Sequence, residues 1–411
     1  MNQEPMVSSA SRPTLRPRGS NQVGMRQFNE RVVLQAIRLS GSASKAEIAR
    51  MTHLTAQTVQ LIIGRLEADG LVLKLNRIRG KVGQPSVPMA LNPDGAFSIG
   101  LTIGRHNAEV LLVDFCARVR LRLSAEYTFP EPDVLFGEVQ DMVTRILQTL
   151  DADKAKLLCG IGVAAPLSLG SWQELLGMEP DIAQRWADID ISERIGDLFD
   201  VPISFVKDTT AACVAELVVG RGHAERNFLY YYVGTFIGGG IVLDSQLHAG
   251  AHGNAGAVGS LPIGMASASQ QHYPPQLLSL ASLHQLQVAY RAAGLDVSAW
   301  KDARAHQAPW LEHTQAWLAK ASTAIAMAIS SAACFLDIDR VILDGSFSRS
   351  LLDALIDHVQ RALELYDWQG VAKPTIMAGQ VGSDARGLGG ALLPLYANFM
   401  PNRDLFLKAQ P

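Results

Sequence analysis

A cluster of glycines between two apolar runs has the composition of a phosphate-binding turn. Gly234 and the glycines 238–240 follow the apolar run 228–233 and precede the apolar residues 241–243. This pattern predicts that the glycines form the tip of a hairpin between two buried strands. Backbone amides without side chains can approach an anion closely at such a tip. The alternative is a glycine-rich hairpin that only turns the chain.

The start of a short amphipathic segment, residues 55–70, carries residue types that read DNA. Ala56, Gln57 and Gln60 would face base edges, while Thr55 and Thr58 are placed for phosphates. Glutamine can pair with adenine through two hydrogen bonds. Further contacts to the phosphate backbone are predicted for Arg65, Arg77, Arg79 and Lys81.

Three helices would position these residues. Apolar spacing predicts a first helix over 28–39, which Gly41 ends. Ser44 is the expected N-cap of the second helix and would form a capping box with Glu47. The third helix follows after a tight turn, and this arrangement predicts a helix-turn-helix.

A β-hairpin is predicted after the three helices. In residues 71–93, apolar residues alternate through Leu71, Leu73 and Leu75, and a basic tip follows at 77–81. Such a hairpin is the wing of a winged helix. The alternative for the whole module is a helical protein-interaction domain with a solvated basic face.

Positive charge is concentrated in the same part of the chain. Residues 1–82 contain thirteen Lys or Arg and five Asp or Glu, a net charge of +8, whereas the remainder contains 23 and 34, a net charge of −11. A basic module joined to an acidic one predicts an anionic polymer, double-stranded DNA, as the partner of the first.

Composition is that of a soluble globular protein with two or three domains. The 411 residues are 48% hydrophobic and 18% charged. The four cysteines lie far apart in sequence, which predicts buried thiols in a reducing compartment. No apolar run suggests a membrane span, and the basic N-terminus has no apolar core of a signal peptide. We therefore expect a cytoplasmic protein, associated with the bacterial nucleoid, without a membrane partner.

Strand and helix patterns repeat in the acidic module. Three strand-like segments over 98–129, a helix over 133–150 and a buried strand over 157–165 are typical of a ribonuclease-H-like lobe. A second half has a hairpin over 228–247, helices over 277–335, and strands at 341–345 and 375–379. Two such lobes predict an actin-like or sugar-kinase architecture with the ligand between them.

The predicted fold class is therefore α/β, a two-lobed ribonuclease-H-like domain preceded by an all-α winged helix-turn-helix domain. Its expected parts are a disordered basic arm at 1–22, the winged helix at 23–82, a linker at 83–95, a first lobe at 96–205 plus 386–411, and a second lobe at 206–385.

Several motifs in this order resemble the ROK family, which groups bacterial repressors, open reading frames and sugar kinases. They are the winged helix, GQPSVPMALNP, VKDTTAAC, GTFIGGGIV, GAHGNAGAVG and VILDGSFS. The resemblance covers residues 25–400. An N-terminal winged helix marks the repressor branch, which implies a transcription factor whose kinase-like domain senses a sugar.

The resemblance also implies that phosphoryl transfer has been lost. Where kinase members have a DxGGT-like strand end with a magnesium-organising Asp, this chain has Thr102, followed by Arg105 and His106 in place of Gly and Thr. Without that carboxylate most kinase activity is expected to be lost. Arg105 could bind an anion instead, or be a solvated cation at a strand end. The glycine turn would then be a degenerate phosphate loop, with the members Gly234, Thr235, Gly238 and Gly239.

The sugar-binding motif is kept only in part. Asp208 occupies the position of the kinase general base and would accept hydrogen bonds from sugar hydroxyls. Lys207 replaces an amide that contacts sugar, and it either attracts an anionic ligand or pairs with Asp208. The family's AGEIGH is AGAVGS here, so Ala257 and Ser260 replace a carboxylate and a histidine. The expected ligand-binding set is Lys207, Asp208, Thr210, His252, Asn254 and Ser260, with a solvated loop as the alternative for His252 and Asn254.

No metal and no cofactor are expected. In the family, the histidine that Ser260 replaces also binds a structural zinc together with three cysteines. The segment that follows here, 261–283, contains no cysteine.

The function predicted from the sequence is that of a DNA-binding regulator, a repressor of sugar uptake or catabolism genes, with a non-catalytic sugar-sensing domain. It would act as a homodimer or homotetramer on an operator with paired half-sites. Two alternatives remain: an active ATP-dependent sugar kinase with a fused DNA-binding domain, and a ligand-independent regulator that uses the degenerate domain for dimerisation.

Overall fold

The computed structural model describes residues 22–76, 87–167, 169–170, 178–265 and 273–401. The chain forms two compact units, one of residues 1–91 together with 399–411 and the other of residues 92–398. The sequence placed the end of the winged helix at residue 82, nine residues before the observed division. Residues 1–21, which include most of the predicted basic arm, lie outside the described residues.

The first unit contains the predicted helix-turn-helix. Its helices are α1 (Gln22–Ser40), α2 (Lys45–Thr52) and α3 (Ala56–Ala68). The predicted capping box at the start of α2 is present, since the Ser44 hydroxyl accepts from the Glu47 amide and the Glu47 carboxylate accepts from the Ser44 amide. The four buried side chains of α3 are Val59, Ile62, Ile63 and Leu66. They fix the opposite face of α3 toward solvent.

The predicted hairpin is present as an antiparallel pair, β1 (Val72–Lys74) and β2 (Met89–Leu91). The predicted buried face of β1 is wrong. Val72 is the buried residue, while Leu73 and Leu75 are each 42% exposed. A strand alternates its side chains between two faces, so a shift by one residue exchanges them. Met89 also pairs with Ala43, which anchors the hairpin on the turn before α2.

The second unit contains two five-stranded sheets with the same strand order. The first is β5-β4-β3-β6-β7, formed by β3 (Phe97–Ile103), β4 (Asn107–Asp114), β5 (Val119–Glu126), β6 (Leu158–Ala165) and β7 (Ile203–Lys207). The second is β10-β9-β8-β11-β12, formed by β8 (Phe228–Val233), β9 (Ile237–Leu243), β10 (Gln246–His248), β11 (Arg340–Gly345) and β12 (Thr375–Ala378).

In each sheet the first three strands are antiparallel and the last two join in parallel. The repeat of the ribonuclease-H-like lobe predicted from the sequence is thus present in both halves. Because β7 runs to Lys207, the predicted lobe boundary at 206 falls inside a strand.

Helices cover the sheets. Against the first sheet pack α4 (Pro132–Leu147), α6 (Pro180–Ala187) and α7 (Ile191–Gly196), while the short α5 (Ala152–Ala155) before β6 has no buried residue. Against the second sheet pack α9 (Leu278–Ala281), α10 (Leu283–Ala292), α11 (Leu311–Leu336) and α12 (Arg349–Leu363). Each sheet and its helices enclose a separate apolar core.

Two further helices, α8 (Asp208–Val218) and α13 (Ala385–Phe399), lie between the sheets. A methyl group on Gly100 of β3 would lie 2.5 Å from the carbonyl oxygen of Gly387, so α13 packs directly on the backbone of the first sheet. At its other side Ala385 joins the core that α8 forms with the second sheet. The sequence assigned this helix to the first lobe, and it contacts both sheets.

The predicted position of the glycines 238–240 is wrong. The turn consists of residues 234–236, and the glycines lie inside β9, opposite Tyr232, Tyr231 and Tyr230. Side chains there would collide with α8, because a Cβ on Gly238 would lie 2.6 Å from Thr209 Oγ1 and one on Gly240 would lie 2.7 Å from Cys213 Cβ. These glycines therefore serve close helix-to-strand packing.

One helix, α11, is long and apolar enough to cross a membrane by length and composition alone. The sequence reading found no such run. Half of its apolar window is buried, and Trp317, Ala321, Ile325 and Ile329 belong to the core of the second sheet. These contacts make α11 a core helix of its lobe.

Candidate functional site

The exposed face of α3 is a continuous stripe that begins at its first turn. Ala56, Gln57 and Gln60 are exposed, as the sequence predicted, and Gly64 continues the stripe with open space where its side chain would be. No described residue covers this face within the first unit. This helix face is therefore exposed at the position from which a helix-turn-helix reads bases.

Leu61 is the residue that sequence reasoning missed on this face. Its side chain is 61% exposed, although every other leucine or isoleucine of α3 is buried. It follows Gln57 by four residues, so the two side chains are neighbours on the helix surface. An apolar side chain is of the type that contacts a thymine methyl group.

The threonines and Arg65 have partners inside the first unit. Thr55 is the N-cap of α3, and its hydroxyl lies 2.8 Å from the hydroxyl of Thr58. Arg65 Nε lies 2.9 Å from Glu30 Oε1 of α1. Both threonines are at the N-terminal end of α3, where the helix dipole favours a phosphate. The wing residues Arg77, Arg79 and Lys81 lie outside the described residues.

A cleft of about 230 Å³ lies in the second unit, where the two lobes meet. Its walls are the β3–β4 turn, the β7–α8 junction, the β8–β9 turn, the loop 254–260 and the start of α13. The predicted site residues that line it are Lys207, Asp208, Asn254, Ser260, Gly234, Thr235 and Gly238. The predicted residues therefore belong to three of the five walls of the cleft.

Three predicted residues lie elsewhere. Thr210 is 4% exposed on the buried side of α8, His252 is exposed in the loop before Asn254, and Gly239 packs against the backbone of Tyr230. None of the three is among the residues that line the cleft.

The ion pairing at the β7–α8 junction differs from the pairing expected. Lys207 Nζ donates to Asn254 Oδ1 at 3.0 Å, which joins the first lobe to the loop of the second. Asp208 Oδ2 lies 3.6 Å from Arg386 Nη1 at the start of α13. The expected pairing of Lys207 with Asp208 is thus replaced by two contacts with residues distant in sequence.

The loop before α13 is held by two buried carboxylates. Asp344, at the end of β11, accepts from the Gly382 amide at 2.8 Å and from Arg349 Nη1 at 2.9 Å. Glu216 of α8 accepts from the Gln380 amide at 3.1 Å. Burial raises the pKa of Glu216, and the backbone amides oppose this shift. These bonds fix the first turn of α13 and so place Arg386 in the cleft.

Arg105 lies in the β3–β4 turn and is only 9% exposed. Its guanidinium carbon lies 4.9 Å from the centre of the Phe236 ring, in the β8–β9 turn of the other lobe. One nitrogen is 3.4 Å from the carbonyl oxygen of Leu169. Arg105 is therefore not a solvated cation at a strand end, because its charge is buried where the two turns meet.

Charge in the cleft is predominantly positive. Its charged lining residues are Arg105, Lys207 and Arg386 against Asp208. Burial lowers the pKa of Lys207, and the nearby carboxylate of Asp208 partly offsets this. Such a wall attracts an anion more strongly than a neutral molecule.

The residues present do not fit the metals of a sugar kinase. Thr102 replaces the magnesium-organising carboxylate, and its hydroxyl is buried without a hydrogen-bond partner among the described residues. Within the described ranges no three His, Cys, Asp or Glu side chains could share a metal ion.

Residues 98–396 match the ROK family, and residues 29–72 match a winged helix-turn-helix DNA-binding domain. An uncharacterized protein of Sinorhizobium fredii is 26% identical over 373 residues, which cover 90% of this chain and 92% of that protein. The xylose repressor of Bacillus spizizenii is 25% identical over 248 residues, which cover 59% of this chain and 62% of the repressor.

Among solved structures, the fold resembles that of a ROK-family transcriptional regulator described as a homologue of the Escherichia coli MLC protein. The TM-score is 0.63 at 17% identity, and the match covers 92% of this chain and 98% of the other. The winged helix, the paired sheets and the family match over most of the length lead to one conclusion: the chain belongs to the ROK family.

Proposed function

We propose that the protein is a DNA-binding transcriptional regulator that represses genes of sugar uptake or catabolism, and that its kinase-like domain binds a sugar or sugar derivative without phosphorylating it. The exposed stripe of α3 carries the first half of this proposal. The winged-helix match and the relatedness to a xylose repressor support it. Its site of action would be the cytoplasm, at the nucleoid.

Base reading is assigned to Gln57 and Gln60, and phosphate contacts to Thr55, Thr58 and the basic residues of helix and wing. A duplex selected from a random pool tests this assignment. Gln57→Ala or Gln60→Ala should weaken binding by about 1–3 kcal/mol and relax the preference at one A·T pair. Lys81→Ala should weaken binding to all sequences alike and reduce the slope of log affinity against log salt concentration by about 1. Equal binding of selected and random duplexes by the wild type would refute sequence reading.

Leu61 provides a separate test of the same face. Replacing thymine with uracil in the selected site removes only the methyl group. If Leu61 contacts that methyl, one such replacement should weaken the wild type by about 1 kcal/mol, the scale of a buried methyl group. The Leu61→Ala protein should bind both duplexes equally. An unchanged thymine preference in Leu61→Ala would assign the contact to another residue.

Signal transfer from the cleft is assigned to α13. Its first turn carries Arg386 in the cleft, and its last residue, Phe399, already belongs to the first unit. Within that unit, Arg31 of α1 donates to the carbonyl oxygen of Met400 at 3.2 Å. A ligand that binds one arrangement of the lobes more tightly shifts the population of that arrangement and, through α13, the DNA-binding state.

The removal of the Arg31 bond tests this route. Arg31→Met should leave DNA binding within about threefold and reduce the effect of ligand on it, because coupling is a free energy separate from affinity. Arg26→Met, at an exposed position of the same helix, serves as the control. An unchanged ligand effect in Arg31→Met would exclude this connection. Assembly as a homodimer or homotetramer, expected for paired half-sites, is checked by light scattering on the same samples.

A sugar kinase remains the second candidate because Asp208 is kept in the cleft. A general base alone does not supply the charge neutralisation that phosphoryl transfer needs, and Thr102 cannot organise the magnesium ion. A coupled assay with ATP, magnesium and a panel of hexoses decides between the two. Turnover above background that Asp208→Asn abolishes would establish the kinase.

A further inference from the structure

Arg105 is a buried cation without an ion-pair partner among the described residues. The cleft places two other cations near one carboxylate, and that carboxylate pairs with Arg386 at 3.6 Å. The described contacts of Arg105 are the Phe236 ring and the carbonyl oxygen of Leu169. A buried charge is costly unless an opposite charge or several hydrogen bonds compensate it. Most donors of its guanidinium fork are thus available to something that enters the cleft.

We propose that the ligand of the cleft carries a negatively charged group, a phosphate or a carboxylate, and that Arg105 binds this group between the turns of the two lobes. This inference rests on the proposed sensing function and specifies its ligand class. A guanidinium matches the geometry of both anions through two parallel hydrogen bonds. The remaining cleft wall, with Asp208, Asn254 and Ser260, would hold the hydroxyl groups of the sugar.

Two features around Arg105 support an anion rather than a neutral group. The β8–β9 turn opposite it contains Gly234, whose absent side chain exposes backbone to the cleft. Lys207 approaches from the third wall and makes its described hydrogen bond to a neutral amide, and the one carboxylate that lines the cleft, Asp208, faces three cations. Burial lowers the pKa of Arg105, and the negative charge of Asp208 opposes this shift only in part.

The direct test uses anions without a sugar. Sulfate or inorganic phosphate at about 20 mM should raise the melting temperature of the full-length protein by about 2 °C or more over chloride at equal ionic strength. Arg105→Met should abolish this difference, Arg105→Lys should retain part of it, and Arg291→Met, at an exposed helix position, should retain all of it. The Arg105→Met protein without ligand should melt no lower than the wild type, because it has lost an uncompensated buried charge.

The sugar arm compares matched compounds by calorimetry: glucose, glucose 1-phosphate, glucose 6-phosphate and glucuronate, with the corresponding set for galactose. At least one charged sugar should bind ten times more tightly than its neutral counterpart, and Arg105→Met should remove that ratio. Phosphates and carboxylates in the same set show which anion is preferred.

The outcomes separate the two claims. A neutral sugar that binds as tightly as its charged forms, with Arg105→Met unchanged, overturns the anion inference but leaves sensing intact. A sulfate shift that persists in Arg105→Met, with a lower melting temperature of the free variant, assigns Arg105 a structural role and also overturns it. An Arg105-dependent sulfate shift without any effect of sugars or anions on DNA binding upholds the anion site and refutes sensing.

Discussion

The two hairpin turns that face each other across the cleft occupy equivalent positions in two sheets of the same order. The β8–β9 turn keeps small residues, with Gly234 and Thr235 in the wall. The β3–β4 turn instead carries Arg105, whose guanidinium lies on Phe236 of the other turn. One turn presents Gly234 and Thr235 to the cleft, whereas the other presents a buried positive charge.

The fold of the two lobes and the chemistry of the cleft therefore depend on different residues. The fold needs the glycines inside β9, since α8 packs where side chains on Gly238 and Gly240 would be and the backbone of Tyr230 lies where one on Gly239 would be. The chemistry depends on a few side chains at strand ends, such as Thr102 and Arg105, which can change without disturbing the sheets. A kinase-like fold can therefore persist while the side chains at the strand ends of the cleft change.

The largest loss of stability is expected for Gly239 in β9, the strand that follows the β8–β9 turn. Gly239→Ala would push a methyl group into the carbonyl oxygen of Tyr230, with Val258 Cγ2 3.2 Å away on the other side. Overpacking against backbone should destabilise the lobe by about 3 kcal/mol. Urea denaturation measures this loss. Gly137→Ala in α4, where the added methyl meets open space, is the control and should be neutral or slightly stabilising.

Anion binding should depend on pH through Lys207. Burial lowers the pKa of Lys207 from its usual 10.5, while Asp208 raises it in part. The lysine is charged below its pKa and loses its proton as the pH rises, so sulfate affinity should begin to fall at a lower pH than an exposed lysine would cause. Burial raises the pKa of the neighbouring Cys213, whose thiol stays protonated in this range.

Loss of the positive charge on Lys207 should weaken sulfate binding by about tenfold, or roughly 1.5 kcal/mol. Calorimetric titration from pH 7 to 10 follows the change, and sulfate itself does not titrate there. Lys207→Arg should flatten the profile, because arginine remains charged. A fall of equal size in Lys207→Arg would attribute the effect to another group.

A smaller effect is expected where the two turns touch. Phe236→Leu keeps an apolar side chain but removes the aromatic face under Arg105, which should cost about 1 kcal/mol of stability. A double-mutant cycle with Arg105→Met isolates this contact. If Phe236→Leu costs the same in both backgrounds, the two turns are not joined by the cation–π contact.

The smallest effect is expected at Thr102 in the first turn's strand. Its buried hydroxyl has no hydrogen-bond partner among the described residues, so Thr102→Val should leave stability unchanged or raise it by up to about 1 kcal/mol. Ligand binding should not change. A clear loss of sulfate or sugar binding in Thr102→Val would show that this position still takes part in the site.

Local patterns predicted the elements well because their causes are local. The capping box of Ser44 and Glu47 and the buried spacing of Val59, Ile63 and Leu66 are set within a few residues of chain. The strand repeat of the second unit was likewise visible in apolar runs. The register of the wing was mispredicted, since Val72 and Leu73 are both apolar and only the contact with the helices decides which one is buried.

The cleft could be predicted only in part because its chemistry joins distant residues. Lys207, Asp208 and Asn254 were found through the family motif, but the bond between Lys207 and Asn254 and the pairing of Asp208 with Arg386 were not. Arg386 has no signal of its own in sequence, and only the small residues after it indicate a closely packed helix. The burial of Arg105 depends on the second lobe bringing Phe236 over it, a contact that periodicity within one segment does not predict.

We propose that a ligand in the cleft controls a DNA-reading helix in another unit of the same chain. The most direct measurement is fluorescence anisotropy of a labelled, selected duplex, titrated with protein in the presence of each charged sugar and its neutral counterpart. At least one charged sugar should change the dissociation constant of the protein for the duplex by about fivefold or more. Arg105→Met should abolish this change and Arg291→Met should not. Tight, sequence-specific binding that no compound alters would contradict the proposal.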